Sequence, residues 1–136
     1  MNPGRERYYR SLFKVSAVYD IVLGIVFVFF PARAFDALGI PEKLPAFHGY
    51  LTLLGAFVLV IGIAYYLISR GDLRRNLDLI LVGMLYKLAY CVVAFYYWLF
   101  KSVPHPVFVA VFGVADAVFF ILMAECYQCL KKEAKS

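Results

Sequence analysis

The sequence is poor in the residues that carry soluble chemistry. Charged side chains make up only 17% of it, there are two histidines and one tryptophan, and three cysteines. It contains no nucleophile elbow, no glycine-rich phosphate loop and no H-E-x-x-H pair, so no motif supports hydrolase, nucleotide-binding or zinc-protease chemistry. Cys91, Cys126 and Cys129 fall within or at the ends of apolar runs, and an odd count so placed excludes a disulfide framework. Cys126-Tyr127-Gln128-Cys129 is a C-x-x-C without a second pair, which favours acylated or inert interfacial thiols over zinc or thioredoxin-like use. His48 and His105 could meet Glu42 or Asp36, but their spacing matches no ligand motif, and no metal site is expected.

Apolar residues fill the space these absences leave. The hydrophobic fraction is 64% and the mean hydropathy +0.78, against about 45–50% apolar content in soluble domains. This is the composition of an integral membrane protein. The formal charge of +5 does not signal nucleic acid, because the basic residues sit at segment ends and leave no basic face. A length of 136 residues fits one domain, 1–136.

The apolar runs predict an all-α, four-helix transmembrane bundle with spans over about 12–30, 47–69, 77–100 and 107–127. Arg5, Arg7, Arg10 and Lys14 precede the first run as in a secretory signal, but Asp20 interrupts that run, so the segment is expected to be retained. Pro31 ends the first span. The stretch ARAFDAL is too short to cross a bilayer and predicts a short interfacial helix, with Phe35 and Leu38 turned inward, closed by Gly39 and Pro41. In the second span Thr52, Gly55, Leu59, Gly62 and Tyr66 follow 3-4-3-4 spacing, a stripe suited to close helix approach. Gly71-Asp72 breaks that helix, and KSVPHP forms the last turn.

Ten Lys or Arg lie in the N-terminal segment, the 70–76 connector and the tail, whereas the other two connectors hold only Arg33, Lys43 and Lys101. The positive-inside rule then puts both termini in the cytoplasm, in a multi-pass protein of the inner membrane. Tyr8, Tyr9, Tyr65, Tyr66 and Tyr127 are expected at the cytoplasmic interface, and Tyr50, Tyr96, Tyr97 and Trp98 at the outer one. Tyr19, Tyr86 and Tyr90 remain, deep in their spans.

Three charges stand inside the apolar runs: Asp20, Lys87 and Asp116. From the cytoplasmic helix ends they lie roughly 12, 15 and 16 Å deep at the α-helical rise, nearly one level, together with the three deep tyrosines. Gly24, Gly83 and Gly113 share their faces, so neighbouring backbones are expected to approach there. A lysine at that depth costs at least a few kcal/mol and needs a partner. The cluster reads either as a buried ion group that fixes helix register or as a polar pocket or proton site. Tyr90, three residues from Lys87, is best placed to share its face, while Tyr86 and Tyr19 are expected to point partly towards lipid.

A first span ending Phe29-Phe30-Pro31, an amphipathic connector ending Leu38-Gly39-Ile40-Pro41, a glycine-striped second span and two further apolar helices together resemble the DoxX-like group of small four-helix bacterial membrane proteins. The resemblance implies kinship with subunits of membrane redox systems. It assigns no role to Asp20, Lys87 or Asp116.

Two functional readings follow. One is a ligand-binding or accessory subunit holding a lipid-like or quinone-like headgroup between its helices, its partners being the bilayer, further copies of itself or a membrane complex. The other is a small proton-coupled transporter with Asp20 or Asp116 as the exchanging carboxyl, although no inverted repeat is evident. An enzyme using either acid with a deep tyrosine has no motif behind it, and no motif names a cofactor.

Overall fold

The computed structural model describes residues 1–136 and is built of helices alone. Helix α1 spans Pro3–Phe29. It starts well before the first apolar run because Asn2 caps it: the Asn2 side chain accepts from the Arg5 amide at 2.7 Å, with Pro3 and Glu6 in the first turn. Pro31 then starts α2, Pro31–Ala37, the short helix expected there. Gly39 closes it at φ +74°, a left-handed conformation that glycine adopts without steric cost. After a 3-10 turn at Pro41–Lys43, α3 runs over Gly49–Arg70 and stops at Gly71. A second 3-10 turn, Leu73–Asn76, leads into α4, Leu77–Phe100. Helix α5 occupies Pro106–Lys135, and its outset is a π-helical segment at Val109–Ala115.

Helices α1, α3, α4 and α5 are each long and apolar enough to cross a membrane. They run alternately up and down, so both termini and the 71–76 connector meet at one end of the bundle. There the charges form a clamp rather than isolated topology markers. The Met1 ammonium pairs with Glu133, Arg74 reaches Glu133 at 3.3 Å, and Arg10 donates to the carbonyls of Ser69 (2.9 Å) and Gly71 (2.7 Å) while pairing with Glu6 at 3.0 Å.

Helices α1 and α3 pack backbone to backbone. A Cβ on Gly24 would sit 2.7 Å from the Leu59 nitrogen and 2.8 Å from the Gly55 oxygen, and one on Gly62 would sit 2.9 Å from the Ile21 nitrogen. The expected stripe holds in its centre and fails at its ends: Thr52 and Tyr66 are exposed, and the buried face runs through Gly55, Val58, Gly62, Tyr65 and Ile68. At Gly83 and Gly113 the expectation of close backbones is corrected. The missing Cβ makes room for a ring instead, Tyr65 at Gly83 and Phe95 at Gly113.

The main core lies towards the terminal end and includes Tyr9, Phe13, Tyr65, Ile68, Leu73, Ile80, Met123 and Leu130. Tyr9 and Tyr65 are thus core residues, both fully buried, and not members of an interfacial belt. The Tyr9 hydroxyl donates to Glu125 at 3.1 Å. At the opposite end Tyr50, Tyr96, Tyr97 and Trp98 are exposed.

Candidate functional site

Helix α4 carries Lys87 into the bundle, where α1 and α5 present the two acids. The Lys87 Nζ donates to both oxygens of Asp20 at 2.9 Å and to Oδ1 of Asp116 at 3.0 Å. The two Asp20 oxygens lie too close together to take separate protons of a tetrahedral ammonium, so Asp20 takes one forked proton and Asp116 a second. Lys87 is 1% exposed and each aspartate 3%, so the group is sealed from both lipid and water. The expected meeting of three charges at one depth is realised.

Aromatic rings complete the enclosure. The Nζ lies 5.2 Å from the centroid of Tyr19, 5.4 Å from Tyr65 and 4.9 Å from Phe119, within cation–π range. The two tyrosine hydroxyls bind elsewhere: Tyr65 donates to the Gly83 carbonyl at 2.5 Å and Tyr19 to the Val111 carbonyl at 3.0 Å. Val111 lies in the π segment, whose altered hydrogen-bond register leaves carbonyls in want of a donor. Tyr19 therefore lines the cluster with its ring while staying only half-buried, in keeping with a side chain that is partly turned outward.

The remaining two tyrosines stand apart. Tyr86 and Tyr90 bond each other through their hydroxyls at 3.0 Å, and the Tyr90 ring stacks on Phe112 with centroids 5.4 Å apart. Tyr90 was expected on the lysine's face, but its hydroxyl makes no bond to any of the three charges. Tyr65 and Phe119 are the members that sequence reasoning missed. The available signal was the spacing of Gly55, Gly62 and Tyr65, which places the tyrosine on the glycine face. One further buried polar atom, the Ser16 hydroxyl one turn from Asp20, has no hydrogen-bond partner.

Towards the end away from the termini, α1, α2, α3 and α5 frame a half-open gap. A chamber of about 370 Å³ results, with Leu23, Val26 and Phe27 on one wall and Phe108, Val111 and Phe112 on the other. Phe35 and Leu38 of α2 face into it, as the connector's pattern implied. Its floor is the stacked pair Phe27 and Phe112, 6.2 Å between centroids. Beneath that floor the Val111–Tyr19 bond leads directly to the lysine cage. Chamber and charged cluster are consecutive layers of one bundle, not one pocket.

The other chemistry-bearing residues are dispersed. No three His, Cys, Asp or Glu side chains are grouped to hold a metal ion. His105 caps α5, its Nδ1 accepting from the Val107 amide at 3.0 Å. Cys126 is fully buried in the core, out of reach of an acyl donor, Cys129 is half-buried, and neither forms a disulfide. No protein-family model, no curated protein and no solved structure matches this chain.

Proposed function

We propose that this protein is a membrane-embedded ligand-binding module, acting as an accessory subunit of an inner-membrane system, with both termini in the cytoplasm. The observation that carries the reading is the apolar chamber: 14 of its 18 lining residues are hydrophobic, and its size falls within the range of small-molecule sites. A lipid-like or quinone-like molecule suits such walls. The Asp20–Lys87–Asp116 cluster then serves as the strut beneath it. Sealed inside the bundle it meets no ligand in the chamber, but it ties α1, α4 and α5 together. Buried ion groups of this kind fix arrangement more than they add stability. A redox setting is what the DoxX-like pattern of the sequence implies.

The test is a thermal melt of the purified protein with decylubiquinone and with single-chain lipids. A ligand at about 100 times its Kd should add about 2.7 kcal/mol of stability. Val26→Trp, which crowds the chamber with an indole, should reduce the shift; an equal shift in both proteins would count against the chamber. Reporter fusions at Ser136 and in the 101–106 turn should report opposite compartments, the first cytoplasmic.

The transporter reading draws on one observation: Asp116 uses a single oxygen towards Lys87, and two carboxylates against one ammonium leave a negative charge over. It requires proton release or uptake on ligand addition that Asp116→Asn abolishes. Ligand binding without proton exchange in the wild type would remove it.

A further inference from the structure

The chamber's lining has one-sided polarity. Of its four residues outside the hydrophobic set, Pro45 and Pro104 offer no side-chain polarity, which leaves Lys43 and His105. No carboxylate lines it; Asp36 and Glu42, the nearest acids in sequence, stand outside. Lys43 is exposed and forms no ion pair. His105 is constrained in a useful way. Because Nδ1 accepts the Val107 amide proton, the neutral ring carries its own proton on Nε2, and that donor has no protein partner. The two polar groups of the chamber are thus both donors, one of them cationic. Both belong to the connectors at the end away from the termini, in the 3-10 turn before α3 and at the start of α5.

From this complementarity, and resting on the chamber reading above, we infer that the occupant is a single-chain anionic amphiphile whose carboxylate or phosphate head sits at Lys43 and His105. Its alkyl chain lies along Leu23, Val26 and Phe112. At about 370 Å³ the chamber is near the lower limit of roughly 300–1,000 Å³ for ligand sites, which suits one chain and not two. An anion there accepts a charge-assisted bond from the ammonium and a second from the imidazole. A neutral head leaves the ammonium without a counter-charge, and a cationic head meets repulsion.

The experiment measures binding of four probes of equal chain length to the full chain in phosphatidylcholine nanodiscs: dodecanoate, dodecyl phosphate, dodecanol and dodecyltrimethylammonium. The two anions should bind tightest and the cation weakest. Lys43→Gln combined with His105→Asn removes both donors, while the asparagine oxygen can still cap α5. That double variant should lose about tenfold or more for the anions and little for dodecanol. Val26→Trp, which crowds the wall along which the chain lies, should weaken binding of all probes. If dodecanol matched dodecanoate in the wild type and Val26→Trp weakened both, the chamber would stand and the anionic head would be wrong. Anion preference that survived in the double variant, or dodecanoate binding left unchanged by Val26→Trp, would overturn the assignment. Failure of every probe to bind would remove the chamber reading with it.

Discussion

Replacing Lys87 with methionine isolates what the charged cluster contributes. The substitution keeps most of the side-chain volume and removes only the ammonium. Since Nζ lies 2.9 Å from Asp20 and 3.0 Å from Asp116, bonded oxygens of the two acids are no more than about 6 Å apart, and at an effective dielectric of 20 their repulsion is about 3 kcal/mol. Loss of the hydrogen bonds adds to this, so Lys87→Met should destabilise the bundle by about 3–5 kcal/mol, the usual cost of breaking one side of a buried pair. Asp20→Asn in the Lys87→Met background should recover more of the loss than Asp116→Asn does, because the lost ammonium leaves both Asp20 oxygens without their partner and only one of Asp116. The triple variant, with no charge left, should approach the wild type to within about 1 kcal/mol. Denaturant unfolding in mild detergent, read as double-mutant cycles, measures each coupling. Losses additive to within about 0.5 kcal/mol would mean that the three residues do not act as a group, and the reasoning from geometry would fail.

Three other outcomes follow from single contacts. Gly24→Ala should lower stability by about 1–3 kcal/mol in the same assay, because the new methyl would meet the backbone of α3 at Leu59 and Gly55, which cannot move aside as a side chain can. Tyr65→Phe should cost about 1 kcal/mol through the lost bond to the Gly83 carbonyl, and more than Tyr90→Phe, whose hydroxyl meets only the half-buried Tyr86; the reverse order would misplace Tyr65. The N-terminal ammonium, first by its hydrogen bond, and then Arg74 hold the Glu133 carboxyl below the usual glutamate range. A depressed folded pKa means that the contribution is complete above the unfolded value and is lost as pH falls through the folded one. Melting should therefore fall in acid with a component that Glu133→Gln removes; an unchanged acid profile in that variant would show the clamp to be inert.

The sequence by itself determined the four spans, their breaks and the common depth of Asp20, Lys87 and Asp116. These follow from quantities that accumulate along a single chain: length against bilayer thickness, proline and glycine at the stops, and a fixed rise per residue. The cap on α1 was equally local, with Asn2, Pro3 and Glu6 in plain order. What only the tertiary structure decided is rotation. Adjacent residues on a helix differ by about 100°, so a small error in helix phase exchanges Tyr65 for Tyr66, and the hydrophobic pattern cannot correct it when lipid and core are both apolar. The same ambiguity put Tyr90 on the lysine's face. The π segment at Val109–Ala115 escapes any periodicity that assumes the α-helical turn, yet it supplies the Val111 carbonyl that holds Tyr19 against the cluster. The chamber was least legible of all. It is a property of the space between α1, α2, α3 and α5, and its volume depends on how those helices are set against one another, which sequence could place in depth but not in angle.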